Sequence, residues 1–267
     1  MKSLFLLFVP LLFFSASGKE LRVVSLSPGV TDAICAIGGK RYLCGRSSAC
    51  NAPGTNGIAI AGDMGLPALE KVLLLRPTHL ISDTKHPGGK WKLLERAGIK
   101  LIFLPGKNID DYPGNLRILG KLLNLEKNAG RAAAEYEHEI SELRKSIPAR
   151  KCKVLPVFGT APVISCGKES FIHEALFLAG GENICGIAGK SYFTVSTEYI
   201  LMNPPEVIIF GGIPEVMIKS YFSRREFRNL PAVKKRRIIE VDADDFCRAG
   251  IRLPEAVKAL RKQLLQH

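Results

Sequence analysis

A helical pattern of apolar residues runs through the middle of the chain, over residues 125–147. Apolar side chains recur there at steps of three and four, and charged residues occupy the positions between them. Asn124 is the expected N-cap, and Pro148 ends the pattern because the residue before a proline disfavours helical geometry. At about 1.5 Å per residue, such a helix reaches roughly 34 Å, more than a small domain needs. The pattern therefore predicts one rigid helix that connects two lobes.

Strands and helices alternate on both sides of this segment. Residues 21–26 have the pattern of a buried strand that leads into a helix over 31–37, and residues 153–158 are a strand that precedes a helix over 170–179. Such alternation favours parallel sheets with right-handed crossovers. The predicted fold class is α/β, with two small lobes of parallel sheet joined by a single long rigid helix. The predicted divisions are a first lobe over 19–124, the connecting helix over 125–147 and a second lobe over 148–267.

The two halves contain an internal repeat. Residues 69–82 align without a gap on residues 197–210, and each stretch has a short helix, a proline and then a strand of aliphatic residues. Glu70 and Glu198 occupy equivalent positions near the starts of these short helices. The repeat predicts two lobes of similar topology. Each half then adds a helix and a strand, predicted at 91–97 and 100–104 in the first and at 225–233 and 238–241 in the second.

The first residues have the pattern of an export signal. Lys2 precedes an apolar run over 3–14, and small residues follow it. This run is too short for a membrane-spanning helix and suits a cleaved secretory signal peptide over 1–18. Because no cysteine follows the run directly, a lipid anchor is not expected. The mature protein is therefore expected in the periplasm.

The cysteines and the charge add further constraints. Seven cysteines in an exported chain permit disulfides, with at least one thiol left over. Cys44 and Cys50 could close a short loop, whereas Cys35 lies in an apolar stretch and is expected to be buried. The formal net charge is +13, with a basic run at 234–237. That run lacks aromatic residues, so nucleic acid is not an expected partner, and an anionic membrane surface or ligand fits better.

Two facing lobes predict a ligand cleft, because ligands of open α/β sheets bind beyond the carboxyl ends of the strands. The candidate ligand-binding residues lie in or near the segments that follow the predicted strands of both halves. They are Ser27, Arg46, Ser47, Asp83, His86, Tyr192, Phe193, Gly212, Asp245, Phe246, Arg248 and Arg252.

Signs of catalysis are weak. The chain has no Gly-x-Ser-x-Gly elbow, phosphate loop or dinucleotide fingerprint, and its five histidines are scattered. A zinc or manganese site would need several histidine and carboxylate ligands from both lobes, which the sequence does not offer. We therefore expect a binding protein, not an enzyme. An exported α/β enzyme with a two-lobed cleft is the remaining alternative.

Several motifs are similar to those of one family of transport proteins. They include Arg22-Val23-Val24-Ser25-Leu26-Ser27-Pro28, Ala179-Gly180-Gly181-Glu182-Asn183-Ile184, Val195-Ser196-Thr197-Glu198 and Arg248-Ala249-Gly250-Ile251-Arg252. In these motifs the chain resembles the periplasmic substrate-binding proteins of ABC importers for vitamin B12, haem and ferric siderophores, above all the vitamin B12-binding members. The mature protein is expected to be a monomer, and the resemblance implies that its partner is a membrane permease with its ATPase. It also implies that Glu70 and Glu198 dock onto arginines of the permease.

The resemblance further implies a cobalt or iron chelate, bound as a ligand and not as a cofactor. A corrinoid such as cobalamin or cobinamide is the expected ligand, with haem or a ferric siderophore as the alternative. Tyr192 and Phe246 are expected to contact the face of the macrocycle and Arg248 its polar periphery, unless Arg248 pairs with a neighbouring aspartate. His86 is a candidate axial ligand of the metal, and a solvated loop histidine is the alternative.

Overall fold

The computed structural model describes residues 20–84 and 88–266. The predicted signal peptide and His86 lie outside the described residues. The first lobe is built of alternating strands and helices. Its elements are β1 (Val23–Ser25), α1 (Pro28–Ala36), a 3₁₀ turn (Lys40–Tyr42), β2 (Leu43–Ser47), β3 (Ile60–Asp63), β4 (Leu66–Pro67), α2 (Leu69–Leu75), β5 (His79–Ser82), α3 (Lys90–Arg96), β6 (Lys100–Phe103) and α4 (Asp111–Leu123).

Six strands form the sheet of the first lobe, in the order β4-β3-β2-β1-β5-β6. Neighbouring strands are parallel except for β3 and β4, which form a short antiparallel pair. Val24 and Leu80 on the central strands are fully buried, as expected of a parallel sheet that is covered on both faces. The parallel arrangement brings the carboxyl ends of β1, β2 and β5 to one edge, where the sequence predicts the ligand cleft.

The connecting helix, α5 (Glu126–Lys145), packs along α4, a helix that the sequence analysis did not predict. Gly120 of α4 permits the close approach, because a side chain there would collide with Ala129 of α5. The expected N-cap is wrong: Asn124 has a φ of 53° and ends α4, and Leu125 precedes α5. Asparagine suits the left-handed end of one helix as well as the start of the next, so residue type alone did not decide.

The second lobe follows α5 and contains two sheets. Its elements are β7 (Cys152–Val157), β8 (Gly159–Thr160), β9 (Val163–Cys166), α6 (Phe171–Leu178), β10 (Gly181–Asn183), β11 (Tyr192–Thr194), α7 (Thr197–Met202), β12 (Val207–Phe210), α8 (Glu215–Phe222), a 3₁₀ turn (Arg225–Phe227), α9 (Pro231–Lys234), β13 (Ile238–Glu240), α10 (Ala243–Phe246) and α11 (Leu253–Leu265). The main sheet is parallel, in the order β10-β7-β12-β13, and β11-β9-β8 form a small antiparallel sheet. The predicted α/β fold class is confirmed.

The internal repeat is visible in the strand pairing. β5 lies between β1 and β6, and β12 lies between β7 and β13. The ungapped alignment places His79 on Val207 and Ser82 on Phe210, which are the first and last residues of these two central strands. The helices α2 and α7 begin at equivalent residues as well. The sequence repeat therefore corresponds to the same helix and central strand in both lobes.

A continuous apolar core joins the two lobes through α5. Buried residues of α5, among them Tyr136 and Ile140, belong to one cluster with Val23 of the first sheet and Val154 of the second. α11 also packs against α5. The connecting helix is thus part of the core of both lobes, which restrains its bending.

Two further expectations fail. A helix over 225–233 is wrong, because α8 (Glu215–Phe222) is the main crossover helix and Pro231 starts a separate short helix. A Cys44–Cys50 disulfide is also wrong, since all seven cysteines lie in the described residues and are free. Among the helices of residues 20–84 and 88–266, none combines the length and the apolar character that a membrane crossing requires.

Candidate ligand cleft

The loops at the carboxyl edge of the first sheet meet the segment that follows β13 in the second lobe. A small cavity between them is bounded by Gly29, Asp83 and Gly106 from the first lobe and by Ala249 from the second. Gly29 approaches so closely that a Cβ on it would lie 2.7 Å from the carbonyl oxygen of Ala249. The cavity holds only about 20 Å³, the space of about one water molecule. In this arrangement a macrocycle does not fit at that point.

Ser27 and Asp83 form the polar floor of the first lobe. The Ser27 hydroxyl donates to the Asp83 carboxylate at 2.6 Å, and the Asp83 backbone N–H donates to the same hydroxyl at 2.9 Å. Ser82 lies 3.2 Å from Ser27 through its own hydroxyl. Ser27 is buried, whereas Asp83 is exposed. Ser27 therefore positions a carboxylate that faces solvent.

Arg46 does not offer its guanidinium to a ligand. Its Nε donates to the carbonyl of Thr55 at 3.0 Å, and one terminal nitrogen donates to the carbonyl of Cys50 at 2.6 Å. Ser47 is buried, with its hydroxyl 3.3 Å from the Cys50 thiol. Arg46 and Ser47 therefore fix the loop that follows β2, and that loop carries Asn51.

Arg248 links the two lobes. Its guanidinium donates to the side-chain oxygen of Asn51 at 2.7 Å and to the carbonyl of Ala49 at 3.2 Å. Within its own lobe it pairs with Asp244 at 2.5 Å, and Asn51 also donates to Asp244. The predicted contact of Arg248 with the ligand periphery is not available in this arrangement, because its donors are used in the contact between the lobes.

A second link joins Arg252 to the first lobe. Its Nε lies 2.8 Å from Asp245, and a terminal nitrogen lies 3.6 Å from Asp32 of α1. Burial raises the pKa of Asp32, and the nearby Arg252 and Arg248 oppose this shift. Burial likewise raises the pKa of Asp245. Arg252 and Asp245 therefore act together as a structural pair beside the seam between the lobes.

The two aromatic candidates differ in accessibility. Tyr192 on β11 is 50% exposed, and its ring meets the edge of Phe158 at a centroid distance of 5.8 Å. Burial of its hydroxyl, which accepts a 3.4 Å hydrogen bond from Ser170, raises the pKa of Tyr192. Phe246 is only 1% exposed and belongs to the core. In this arrangement its ring is not accessible for the expected stacking on a macrocycle. Phe193, also on β11, is half-buried and packs against the apolar core of the second lobe.

Gly212 borders the open part of the cleft. It has a φ of 73°, which disfavours residues with a side chain, and it follows β12. A cavity of about 660 Å³ lies beside it. Its lining residues are Gly212, Ile213, Pro214, Glu240, Val241, Asp242, Ala243 and Asp244. Three of these residues are acidic, so this side of the cleft carries negative charge although the whole chain has a net charge of +13.

Two larger cavities lie away from the cleft. They hold about 780 and 740 Å³ and are lined by residues at the amino ends of the strands, such as Thr78 in the first lobe and Cys152 in the second. Ligands of open α/β sheets bind at the opposite, carboxyl edge. The candidate ligand site is therefore at the carboxyl edge, where the smaller spaces are lined by Gly212 and by Asp83.

The structure adds residues that the sequence analysis did not select. Asn51 contacts the second lobe, and Asp63 accepts a 2.8 Å hydrogen bond from Ser48 at the end of β3. That hydrogen bond, together with one from the backbone N–H of Met64, lowers the pKa of Asp63. Asn51 comes after β2 and Asp63 ends β3, and this position near the carboxyl end of a strand is the signal that could have identified them. No cluster of metal-ligating side chains occurs within the described residues.

Comparison with known proteins identifies the family. A model of the periplasmic binding protein family matches residues 23–244. A vitamin B12-binding protein of Pectobacterium carotovorum is 28% identical over 260 residues, which cover 95% of this chain and 92% of that protein. A vitamin B12-binding protein of Photorhabdus laumondii is 25% identical over 263 residues, with 97% and 93% of the two chains covered.

Two solved structures share the fold. A periplasmic heme-binding protein from Roseiflexus superposes with a TM-score of 0.83 at 23% identity, over 92% of this chain and 98% of that one. The periplasmic vitamin B12-binding protein of Vibrio cholerae gives a TM-score of 0.79 at 22% identity, over 91% of this chain and 96% of that one. The similarity extends across both lobes and the helix between them.

Proposed function

Because the chain belongs to the periplasmic binding protein family, we propose that it captures a corrinoid in its cleft and delivers it to an ABC importer. Sequence relatives that span nearly the whole chain are vitamin B12-binding proteins. As a member of this family the protein acts as a binding protein in the periplasm. Export through a signal peptide over 1–18 and a monomeric state are parts of the same proposal.

The proposed choice of ligand rests on the negative charge of the cleft. Asp63 ends β3, Asp83 and Asp242 come after β5 and β13, and all three are exposed. The three arginines that the sequence selected are engaged, Arg46 with backbone carbonyls and the other two with carboxylates and the opposite lobe. Corrinoids carry peripheral amides, whose N–H groups donate hydrogen bonds to carboxylates. Haem carries propionates, and the negative charges of these three carboxylates repel them. The geometry thus supports a corrinoid over an anionic chelate.

Haem is the second candidate, and Tyr192 is the observation that favours it. Its hydroxyl is the type of group that ligates haem iron in some proteins. Because burial raises the pKa of Tyr192, however, the phenolate form that binds ferric iron is disfavoured. Tyr192 more readily contributes its exposed ring, which would lie against the face of a corrin.

Calorimetric titration of the purified protein tests the ligand. We expect cobinamide and cobalamin to bind with micromolar or tighter dissociation constants, and haemin and a ferric siderophore to bind more weakly. Tighter binding of haemin than of both corrinoids would contradict the ligand assignment, and no binding below millimolar by any of the four would overturn the proposal. Calorimetry is preferable to fluorescence because Trp91 is buried against Phe103 in the first lobe.

Delivery to the importer involves Glu70 and Glu198 in this proposal. Each is exposed in the first turn of its helix, α2 or α7, at equivalent positions of the two lobes. Hydrogen bonds from the backbone and from Ser196 lower the pKa of Glu198, which keeps it charged. We expect Glu70→Arg and Glu198→Arg to abolish transport by the reconstituted importer while corrinoid affinity stays unchanged. Glu135→Arg, an exposed site on α5, is the control.

A further inference from the structure

Basic residues are concentrated at the amino edge of the main sheet of the second lobe. Residues 150–153 lead into β7 with three cations, and residues 234–237 lead into β13 with four. Because β12 lies between these strands and is parallel to both, the two segments flank its amino end, about 10 Å apart. Five of the seven cationic side chains are exposed, and the other two are half-buried. We call the two segments together the basic edge.

The cations of the basic edge are not neutralised by the protein. Within residues 20–84 and 88–266, no salt bridge involves any of the seven side chains. Lys151 lies over the ring of Phe177, with its Nζ 3.7 Å from the ring centroid, and Arg237 donates to the carbonyl of Leu264 at 3.2 Å. Seven like charges without counterions repel one another, and an anionic partner would relieve this repulsion.

A cavity of about 740 Å³ lies between the two segments of the basic edge. Arg150, Lys235 and Arg237 line it, together with the carboxylate of Glu206. Leu265 also lines the cavity and is 58% exposed. The lining therefore combines a net positive charge with an exposed apolar side chain. These are the two features that suit the phosphate headgroup and the adjoining apolar part of an anionic lipid.

The opposite edge of the same sheet carries the opposite charge. Glu240 ends β13, and Asp242 and Asp244 come after it beside the ligand cleft. The second lobe is therefore basic at the amino ends of its strands and acidic at their carboxyl ends. An anionic surface attracts the first edge and repels the second, so it orients the lobe with the cleft turned away from that surface.

We propose that the basic edge docks on the surface of a membrane rich in anionic phospholipid, with a lipid phosphate in the cavity. This docking is separate from corrinoid binding and leaves the cleft accessible. A soluble phosphate is a poorer match, because it would fill the cavity and leave cations outside it, such as Lys153 and Lys234, without a partner. A second copy of the chain that placed its acidic edge on the basic edge would build rings or filaments, contrary to the monomer proposed above.

Flotation of the exported protein with lipid vesicles tests this docking. Vesicles of phosphatidylglycerol and phosphatidylethanolamine should bind it, and vesicles of phosphatidylcholine should not. Binding should weaken as the NaCl concentration rises from about 0.05 to about 0.5 M, because salt screens exposed charges. The variant with both Arg150→Gln and Lys235→Gln should bind about 10- to 30-fold more weakly, since each cation near an anionic surface contributes about fivefold.

The first lobe provides the matched control, Arg76→Gln with Lys100→Gln. It removes the same charge from the lining of the cavity of about 780 Å³ at the amino edge of the first sheet. Because the carboxyl edges of the two sheets meet, this amino edge lies on the far side of the molecule. Its charges are expected beyond the screening length from the docked surface, so binding should change by less than about twofold. Lys153→Gln with Lys234→Gln is a second pair from the basic edge and should lose binding as Arg150→Gln with Lys235→Gln does.

Five results would overturn the proposal. Equal losses in the variants of the two lobes would assign binding to the net charge of the whole chain, and equal binding to phosphatidylcholine would exclude the cations. Release by glycerol phosphate, beyond that by NaCl of equal ionic strength, would assign the cavity to a soluble phosphate. Tighter binding of a single-stranded oligonucleotide would assign the basic edge to nucleic acid. Self-association in sedimentation velocity that only the basic-edge variants lose would assign it to a second copy.

Two further measurements separate docking from folding and from the proposed function. Thermal unfolding and calorimetric titration with cobinamide should be unchanged in all three double variants, because the substituted side chains are exposed and lie away from the cleft. Absence of cobinamide binding by the wild type would contradict the proposed function, whereas the vesicle measurements alone decide the role of the basic edge.

Discussion

Arg248 of the second lobe donates a 2.7 Å hydrogen bond to the side-chain oxygen of Asn51 in the first lobe. Asp244 completes the contact by accepting from both residues. These groups lie in segments that follow β2 and β13, so the contact spans the carboxyl edges of the two sheets. The same arginine was expected to contact the ligand, and the two roles predict opposite effects of mutation.

Asn51→Ala and Arg248→Ala are both expected to raise corrinoid affinity, by about 2- to 10-fold. Each removes the Asn51–Arg248 hydrogen bond together with a second hydrogen bond between the lobes, and one such bond is worth about 0.5–1.5 kcal/mol. Calorimetry on both variants and on the double variant measures the effect and its coupling. If Arg248→Ala weakens binding while Asn51→Ala leaves it unchanged, Arg248 contacts the ligand instead. Arg117→Ala, which removes an exposed ion pair with Glu137 between α4 and α5, is the control.

Tyr192→Ala is expected to weaken corrinoid binding by about fivefold, because an aromatic ring against a macrocycle contributes about 1 kcal/mol beyond burial of its area. Tyr192→Phe keeps the ring and should bind like the wild type. Tyr42→Ala serves as a control, since Tyr42 precedes β2 and lies at the end of the strand away from the cleft. Equal affinities of Tyr192→Ala and the wild type would show that this ring does not contact the ligand.

Gly120→Ala is expected to destabilise the fold by about 1–3 kcal/mol, because the added methyl group would collide with Ala129 where α4 meets α5. Gly130→Ala on α5 is the matched variant, since a side chain there meets no atom within 4 Å. It should instead stabilise the protein by about 0.5–1 kcal/mol, the usual gain from alanine in a helix. Urea unfolding measures both, and a shift of the same sign for both would contradict the proposed close approach.

His79→Val is expected to reduce the loss of stability on acidification. Burial, aided by Lys100, lowers the pKa of His79 below its ordinary value of 6.5. The unfolded chain therefore binds a proton at a higher pH than the folded protein does. The contribution to the free energy of unfolding that is present above about pH 6.5 is consequently lost as the pH falls. Valine is the residue at the equivalent position of the second lobe, Val207, and does not titrate.

Unfolding free energies measured between pH 7.5 and pH 5.5 test this expectation, with the exposed His138→Gln as the control. The variant His79→Val should show a shallower slope than the wild type, and His138→Gln should not. Identical slopes for His79→Val and the wild type would show that this histidine does not contribute to the pH dependence.

The sequence by itself determined the α/β class, the central strands, the internal repeat and the long helix. These features follow from the local periodicity of apolar residues, which records the face that each element must bury. The repeat was especially informative, because it related Glu70 to Glu198 before any contact was known. The helix α4 was missed since Asn124 reads equally well as the end of one helix and the start of another.

Only the tertiary structure decided which side chains are available in the cleft. Arg46, Arg248 and Phe246 all belong to segments that the sequence assigned to the cleft. The structure engages the two arginines in other hydrogen bonds and buries the ring of Phe246. A polar group must find partners wherever it is removed from water, and those partners can lie far away in sequence, as Asn51 does from Arg248. Local pattern records burial along one element, whereas accessibility in a cleft depends on how two lobes meet.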